Sequence, residues 1–168
     1  MTLTQIDKSK AKELTDLLHR TYAPDRKKYK LNFKAATISE DEVIQHLKTT
    51  PTFAILTDDN RIIATASVRL PWSNNPSPYN LPHLGWIATD PDYKQRGYAK
   101  KIINQVINEY IVNQLRSPAV SIGTAKEHPW LVDFYQSLGF NYLEETKLFS
   151  DHTTVYLKKN LEDLNYGI

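Results

Sequence analysis

The chain has 168 residues, 40% hydrophobic and 24% charged, with a formal net charge of +2; that suits a single soluble domain spanning 1–168 with a real core. So slight a positive balance does not single out nucleic acid as a partner. The absence of cysteine excludes a disulfide framework, a Cys-ligated zinc and a Cys nucleophile. Met1 to Lys10 lacks the apolar centre of a signal peptide, and no apolar run approaches the roughly 18 residues needed to span a bilayer, so a cytoplasmic location without a membrane partner is expected.

In chain order, Ala11, Leu14, Leu17 and Leu18 recur at helical spacing and predict a helix from about Lys8 to Thr21. Tyr22 to Thr37 follows without clear periodicity and carries a local basic run, Arg26, Lys27, Lys28 and Lys30, which reads first as a solvated loop. A second helix opens at Ser39, where Ser39 and Glu42 form a capping box and Ile38 can staple onto Val43; Val43, Ile44 and Leu47 face inward and Pro51 stops it. Phe53 to Thr57 and Arg61 to Leu70 predict a hairpin around Asp58-Asp59-Asn60. In its second strand Ile62, Ala64, Ala66 and Val68 share one face, and Arg61, Thr65, Ser67 and Arg69 a wetter one.

Pro71 to Pro82 reads as a long loop, and Leu84 to Thr89 as a strand broken by Asp90-Pro91-Asp92. From Ala99, the spacing of Ile102, Ile103, Val106, Ile107, Tyr110 and Ile111 predicts the strongest helix of the chain. Ala119 to Gly123 is a further strand. A helix is predicted from His128-Pro129, with Leu131, Tyr135 and Leu138 on its face and Gly139 as its stop. Phe140 to Leu148 and Thr153 to Lys158 predict a final strand pair. Strands interleaved with helices imply a mixed sheet covered by helices.

Chemistry concentrates in Thr89-Asp90-Pro91-Asp92-Tyr93-Lys94-Gln95-Arg96-Gly97-Tyr98-Ala99, where a strand ends and the long helix begins. Amides at a helix start lack intrahelical partners and the dipole adds positive charge, so a phosphate is the natural ligand. Gly97 and Ala99 are small enough for a diphosphate to approach, and Lys94, Arg96 and Lys100 add charge. Neither a dinucleotide-type glycine pattern nor a P-loop is present.

This segment resembles motif A of the GNAT superfamily of N-acetyltransferases, Gln/Arg-x-x-Gly-x-Gly/Ala, with Gly97 and Ala99 at the small positions and Lys94 where the family has Gln or Arg. Val120 to Phe140, ending Phe134-Tyr135-Gln136-Ser137-Leu138-Gly139-Phe140, resembles motif B, and Leu84 to Thr89 resembles the family's diverging strand. The resemblance spans about Phe53 to Lys158. It implies a GNAT-like α/β fold (an α+β mixed sheet): a mostly antiparallel sheet of six or seven strands with a splayed pair and helices on both faces. It also implies acetyl-coenzyme A as co-substrate without a metal, and a small-molecule or peptide amine as acceptor; a homodimer is compatible with it.

By the same resemblance, Ile87, Ala88, Thr89, Lys94, Gln95, Arg96, Gly97, Tyr98, Ala99, Lys100 and His128 bind the coenzyme, and Tyr135 is the general acid that reprotonates the leaving thiolate. Packing among Leu131 and Leu138 is the other reading of Tyr135, and helix capping that of His128. No carboxylate stands at Leu84 to Ile87 to act as base; His83 is a candidate that also reads as a surface residue. Tyr22, Tyr29, Phe33, Trp72 and Tyr79 would wall the acceptor site, and Glu144, Glu145 and Asp151 would attract a cationic amine. A non-catalytic acyl-coenzyme A sensor stays the alternative function.

Overall fold

The structure is a computed structural model that describes residues 2–29, 34–128, 130–147 and 153–161. The side chains of Arg26 to Lys30, and all of Phe33, Pro129, Leu148 and Asp151, lie outside the described set. Seven strands, β1 (Leu3–Gln5), β2 (Thr52–Leu56), β3 (Ile62–Arg69), β4 (His83–Thr89), β5 (Ala119–Ala125), β6 (Asn141–Thr146) and β7 (Thr154–Asn160), pair in the order β1-β2-β3-β4-β5-β7-β6. The helices are α1 (Ala11–Tyr29), α2 (Glu40–Thr49), α3 (Tyr98–Gln105) and α4 (Leu131–Ser137). Two compact units divide the chain: residues 1–68 with 86–106, and residues 69–85 with 107–168, so β4 contributes to both.

In the first unit, β1 and β3 flank β2 in antiparallel register, Thr4 opposite Ala54 and Ala54 opposite Thr65. Leu14, Leu17 and Leu18 of α1 bury in one cluster with Ile38 and Val43 of the α2 entry and with Ala54, Ile62 and Ala88. The capping box is formed: Glu42 N–H donates to Ser39 Oγ at 3.2 Å while Ser39 N–H reaches Glu42 Oε1 at 3.4 Å. Helix α1 runs past the expected Thr21 and through Pro24 to Tyr29. Tyr22, just past the expected end, packs against the core cluster, so the helix does not stop at Thr21.

β3 also departs from expectation, because Ile62 to Val68 is buried along its whole length, on both faces. Its hydroxyl face is covered rather than wet: Ser67 Oγ lies 2.8 Å from His46 Nε2 and 2.8 Å from Thr52 Oγ1, and Thr65 Oγ1 donates to Trp86 O at 3.3 Å. Buried hydroxyls are tolerated once hydrogen-bonded.

In the second unit, β5 pairs in parallel with the start of β4 (His83 opposite Ser121, Leu84 opposite Ile122) and antiparallel with β7 over seven residues. β7 then pairs antiparallel with β6, whose residues are exposed. Residues 106–112, expected as ordinary α-helix, form a wider π-helix, and just past its end Leu115 N–H bonds Tyr110 O at 2.9 Å. The stop of α4 is a Schellman motif: Gly139 N–H bonds Gln136 O at 3.0 Å and Phe140 N–H bonds Tyr135 O at 3.1 Å. Gly139 takes φ +97, and the Tyr135 and Phe140 rings make the accompanying apolar contact at 6.2 Å.

Candidate active site

Asp90 fixes the approach to the turn in the first unit. Its carboxylate, 4% exposed, accepts Asp92 N–H at 2.9 Å and pairs with an Arg20 guanidinium nitrogen at 3.2 Å. Its own N–H donates to Ile63 O at 2.7 Å and its carbonyl accepts Tyr93 N–H at 2.8 Å. The Asp-Pro-Asp break is therefore a capped 3-10 turn, Pro91–Tyr93, anchored on α1 and β3. The Arg20 link joins residues 70 apart and carries no sequence signal.

Beyond it, Gln95 and Gly97 both adopt positive φ, 63° and 80°. For Gly97 that conformation carries little cost, whereas any other residue would be strained. Gly97 is the N-cap of α3 and supplies no capping side chain. The first intrahelical bond runs from Lys101 N–H to Gly97 O at 3.0 Å, so the Ala99 and Lys100 amides precede the helical ladder. A Cβ at Gly97 would meet nothing within 4 Å. Lys94, Gln95, Arg96 and Lys100 are exposed, Tyr98 and Ala99 partly so. Arg96 rests over the Tyr93 ring, 5.4 Å from its centroid, and Tyr93 meets Tyr98 edge-on at 5.8 Å, which holds one cation beside the turn.

The end of β4 is clamped through its carbonyls. Tyr22 Oη donates to Ile87 O at 2.7 Å and Thr21 Oγ1 to Thr89 O at 3.3 Å. Trp86 leaves the extended region with φ 50 and stacks on His46 at 3.5 Å. Burial holds the His46 imidazole down to about 4, so it is neutral at pH 7. Strand residues Ile87, Ala88 and Thr89 are thereby set in place by side chains of α1 and by β3, partners that spacing alone does not reveal.

In the second unit, Tyr135 is the buried residue of α4 and lies 5.4 Å from the Phe134 ring. His128 is buried in the turn after β5, with Trp130 against it at 4.8 Å. His83 is partly buried rather than a surface residue: its Nδ1 lies 2.8 Å from the Oγ of buried Ser121. Burial first, and the positive charge of Arg69 second, lower its pKa to about 4. Tyr156 lies edge-on to Tyr79 at 5.6 Å and 6.1 Å from His83. Tyr79 donates to Glu144 Oε1. Glu145 pairs with Lys126, and Trp72 stands exposed. Among the described residues no group of three or more His, Asp or Glu could hold a metal ion, and no helix is long and apolar enough to cross a membrane.

A mixed α/β fold with an open, uncapped and basic helix start suits a protein that handles a phosphorylated carrier. The profile of the acetyltransferase (GNAT) family matches residues 11–140, and the chain belongs to that family and is an N-acetyltransferase. It is 37% identical over 151 residues to the S-(2-succino)cysteine N-acetyltransferase of Bacillus subtilis (strain 168), covering 90% of both chains. It is 36% identical over 95 residues, 55% of this chain and 53% of the relative, to the S-alkylcysteine N-acetyltransferase of the same organism. Among solved structures, a Vibrio cholerae spermidine N-acetyltransferase chimera superposes with a TM-score of 0.73 at 15% identity, over 98% of this chain and 99% of that one, a likeness of fold.

Proposed function

We propose that the protein transfers an acetyl group from acetyl-coenzyme A to the α-amino group of an S-substituted cysteine or similar small amino acid. The observation that carries the coenzyme is the start of α3, where Gly97 leaves open space and no side chain caps the helix. The turn Lys94 to Lys100 would receive the pyrophosphate on main-chain amides, with Lys94, Arg96 and Lys100 supplying charge. Ile87, Ala88 and Thr89 would hold the pantetheine arm with their main chain. His128 would be a further contact of the coenzyme.

Acetyl-coenzyme A supplies an acyl thioester, to whose carbonyl carbon the amine nitrogen adds as the carbon–sulfur bond breaks. The phenolic proton of Tyr135 passes to the departing sulfur, since a phenol with a reference pKa of about 10 is protonated at neutral pH. The amine's surplus proton leaves to water. His83 contributes little as a base, because a pKa of about 4 makes it a weak proton acceptor. The acceptor class rests on the cysteine conjugates named for the relatives.

The test is thiol release from acetyl-coenzyme A with S-substituted cysteines, spermidine and a peptide amine. Turnover with the cysteine conjugates is expected to dominate; turnover with spermidine or the peptide alone would overturn the acceptor, and an absence of coenzyme binding would overturn the whole reading.

A further inference from the structure

Arg69 is the unusual charge of the second unit. It ends β3, its Nε is buried, and among the described residues that nitrogen has no hydrogen-bond partner. None of the ion pairs among the described residues includes it. A guanidinium nitrogen taken out of water without an acceptor is costly, so the group calls for an explanation, and a ligand that brings the acceptor is one. Its charge is felt by the half-buried His83. On β6, Glu144 accepts from Tyr79 and Glu145 pairs with Lys126.

Around these groups the unit builds a wall rather than a loose surface. Tyr156 stands between Tyr79 and His83. It lies across Gly123, where a Cβ would meet the Tyr156 ring at 3.3 Å, so the absent side chain is what lets the ring lie down. Tyr79 is held at φ 63, a strained conformation for a residue with a side chain. Gly85, two residues beyond His83, opens onto empty space, with nothing within 4 Å of its would-be Cβ. One fixed cation, a neutral imidazole and two aromatic rings match a singly charged planar anion on an apolar stem. A dianionic phosphate would call for a second cation.

We infer that Arg69 is the carboxylate anchor of the acceptor site, binding the α-carboxylate of the amino acid bidentately while Tyr79 and Tyr156 flank its S-substituent. This rests on the acetyl-transfer reading above and adds the residue that tells an amino acid from a simple amine.

The experiment compares S-benzyl-L-cysteine with S-benzylcysteamine, which differ by the carboxylate alone, on the wild type, Arg69→Gln and Arg69→Lys. For the wild type, KM for the amine should exceed that for the acid by at least about tenfold. In R69Q the KM for the acid should rise about 10- to 100-fold, so that the ratio between the two substrates collapses toward one, with R69K recovering part of it. Thermal melts with coenzyme A should shift equally in all three proteins. Equal wild-type KM values, or equal losses on both substrates in R69Q, would overturn the assignment and make Arg69 a framework or coenzyme residue. Should the wild type acetylate neither compound, the transfer reading falls on its own. Calorimetric titration of both compounds into the coenzyme-bound wild type then decides Arg69: tighter binding of the acid upholds the anchor, equal binding removes it.

Discussion

Replacing Gly97 by alanine separates the strain stored at the turn from the ligand it receives. Two independent costs are expected. At φ +80 a Cβ is sterically penalised, by about 1–2 kcal/mol, which in a protein of this size lowers Tm by roughly 2–8 °C. The same Cβ meets no protein atom within 4 Å, so no packing clash adds to that figure. In the bound state, however, it would occupy the approach to the helix amides. Loss of one charge-assisted hydrogen bond, about 1.5–3 kcal/mol, weakens coenzyme A by about tenfold to a hundredfold. Melting curves of the free proteins give the first cost, and calorimetric titration with coenzyme A the second. A variant that melts lower but binds coenzyme A with undiminished affinity would refute the placement of the diphosphate at this turn.

Further outcomes follow from other contacts. Tyr135→Phe should lower kcat by about 10²-fold or more while coenzyme A affinity stays within about twofold; an unchanged kcat reassigns the phenol to packing against Phe140. Asp90→Ala removes a cap and a half-exposed ion pair, so the melt should fall by roughly 1–3 kcal/mol in stability and coenzyme affinity should drop with it; an unchanged Tm would contradict the anchoring role. His46 has a pKa depressed in the fold to about 4. The unfolded chain therefore binds this proton more readily, and the stability is complete above about pH 6.5 and lost as pH falls toward 4. Urea unfolding should show about 2 kcal/mol lost at this site between pH 7 and 5, a slope reduced in His46→Gln; an identical slope in the variant would place the titration elsewhere.

Much of this arrangement is legible in residue chemistry. The Ser39 and Glu42 capping box, the Asp58 to Asn60 turn, the break at Asp90-Pro91-Asp92 and the stop at Gly139 are local signals, and each forms where its chemistry places it. What escapes a reading of the sequence is set by distant partners. Helix α1 continues past Thr21, where partly buried Tyr22 is hydrogen-bonded to β4. The hydroxyl face of β3 is dry because His46 and Trp86 cover it. Arg69 reads as one more outward residue of an alternating strand, and the burial of its Nε carries no sequence signal. The ending Tyr135-x-x-x-Gly139-Phe140 is legible twice over, as a family signature and as the hydrogen-bond pattern of a helix stop, so its persistence in a sequence does not by itself establish chemistry at Tyr135.

The interior position of β7 has a consequence for how the polypeptide is made. As synthesis proceeds, β5 and β6 are both complete before their shared neighbour has emerged, and neither can pair with the other in the final order. The second unit must then wait, with β5 presenting a bare row of amides and carbonyls, until Thr154 to Asn160 clears the ribosome and threads between them. Shortening the polypeptide before that segment would leave two unsatisfied edges, which places the weight of solubility on β7.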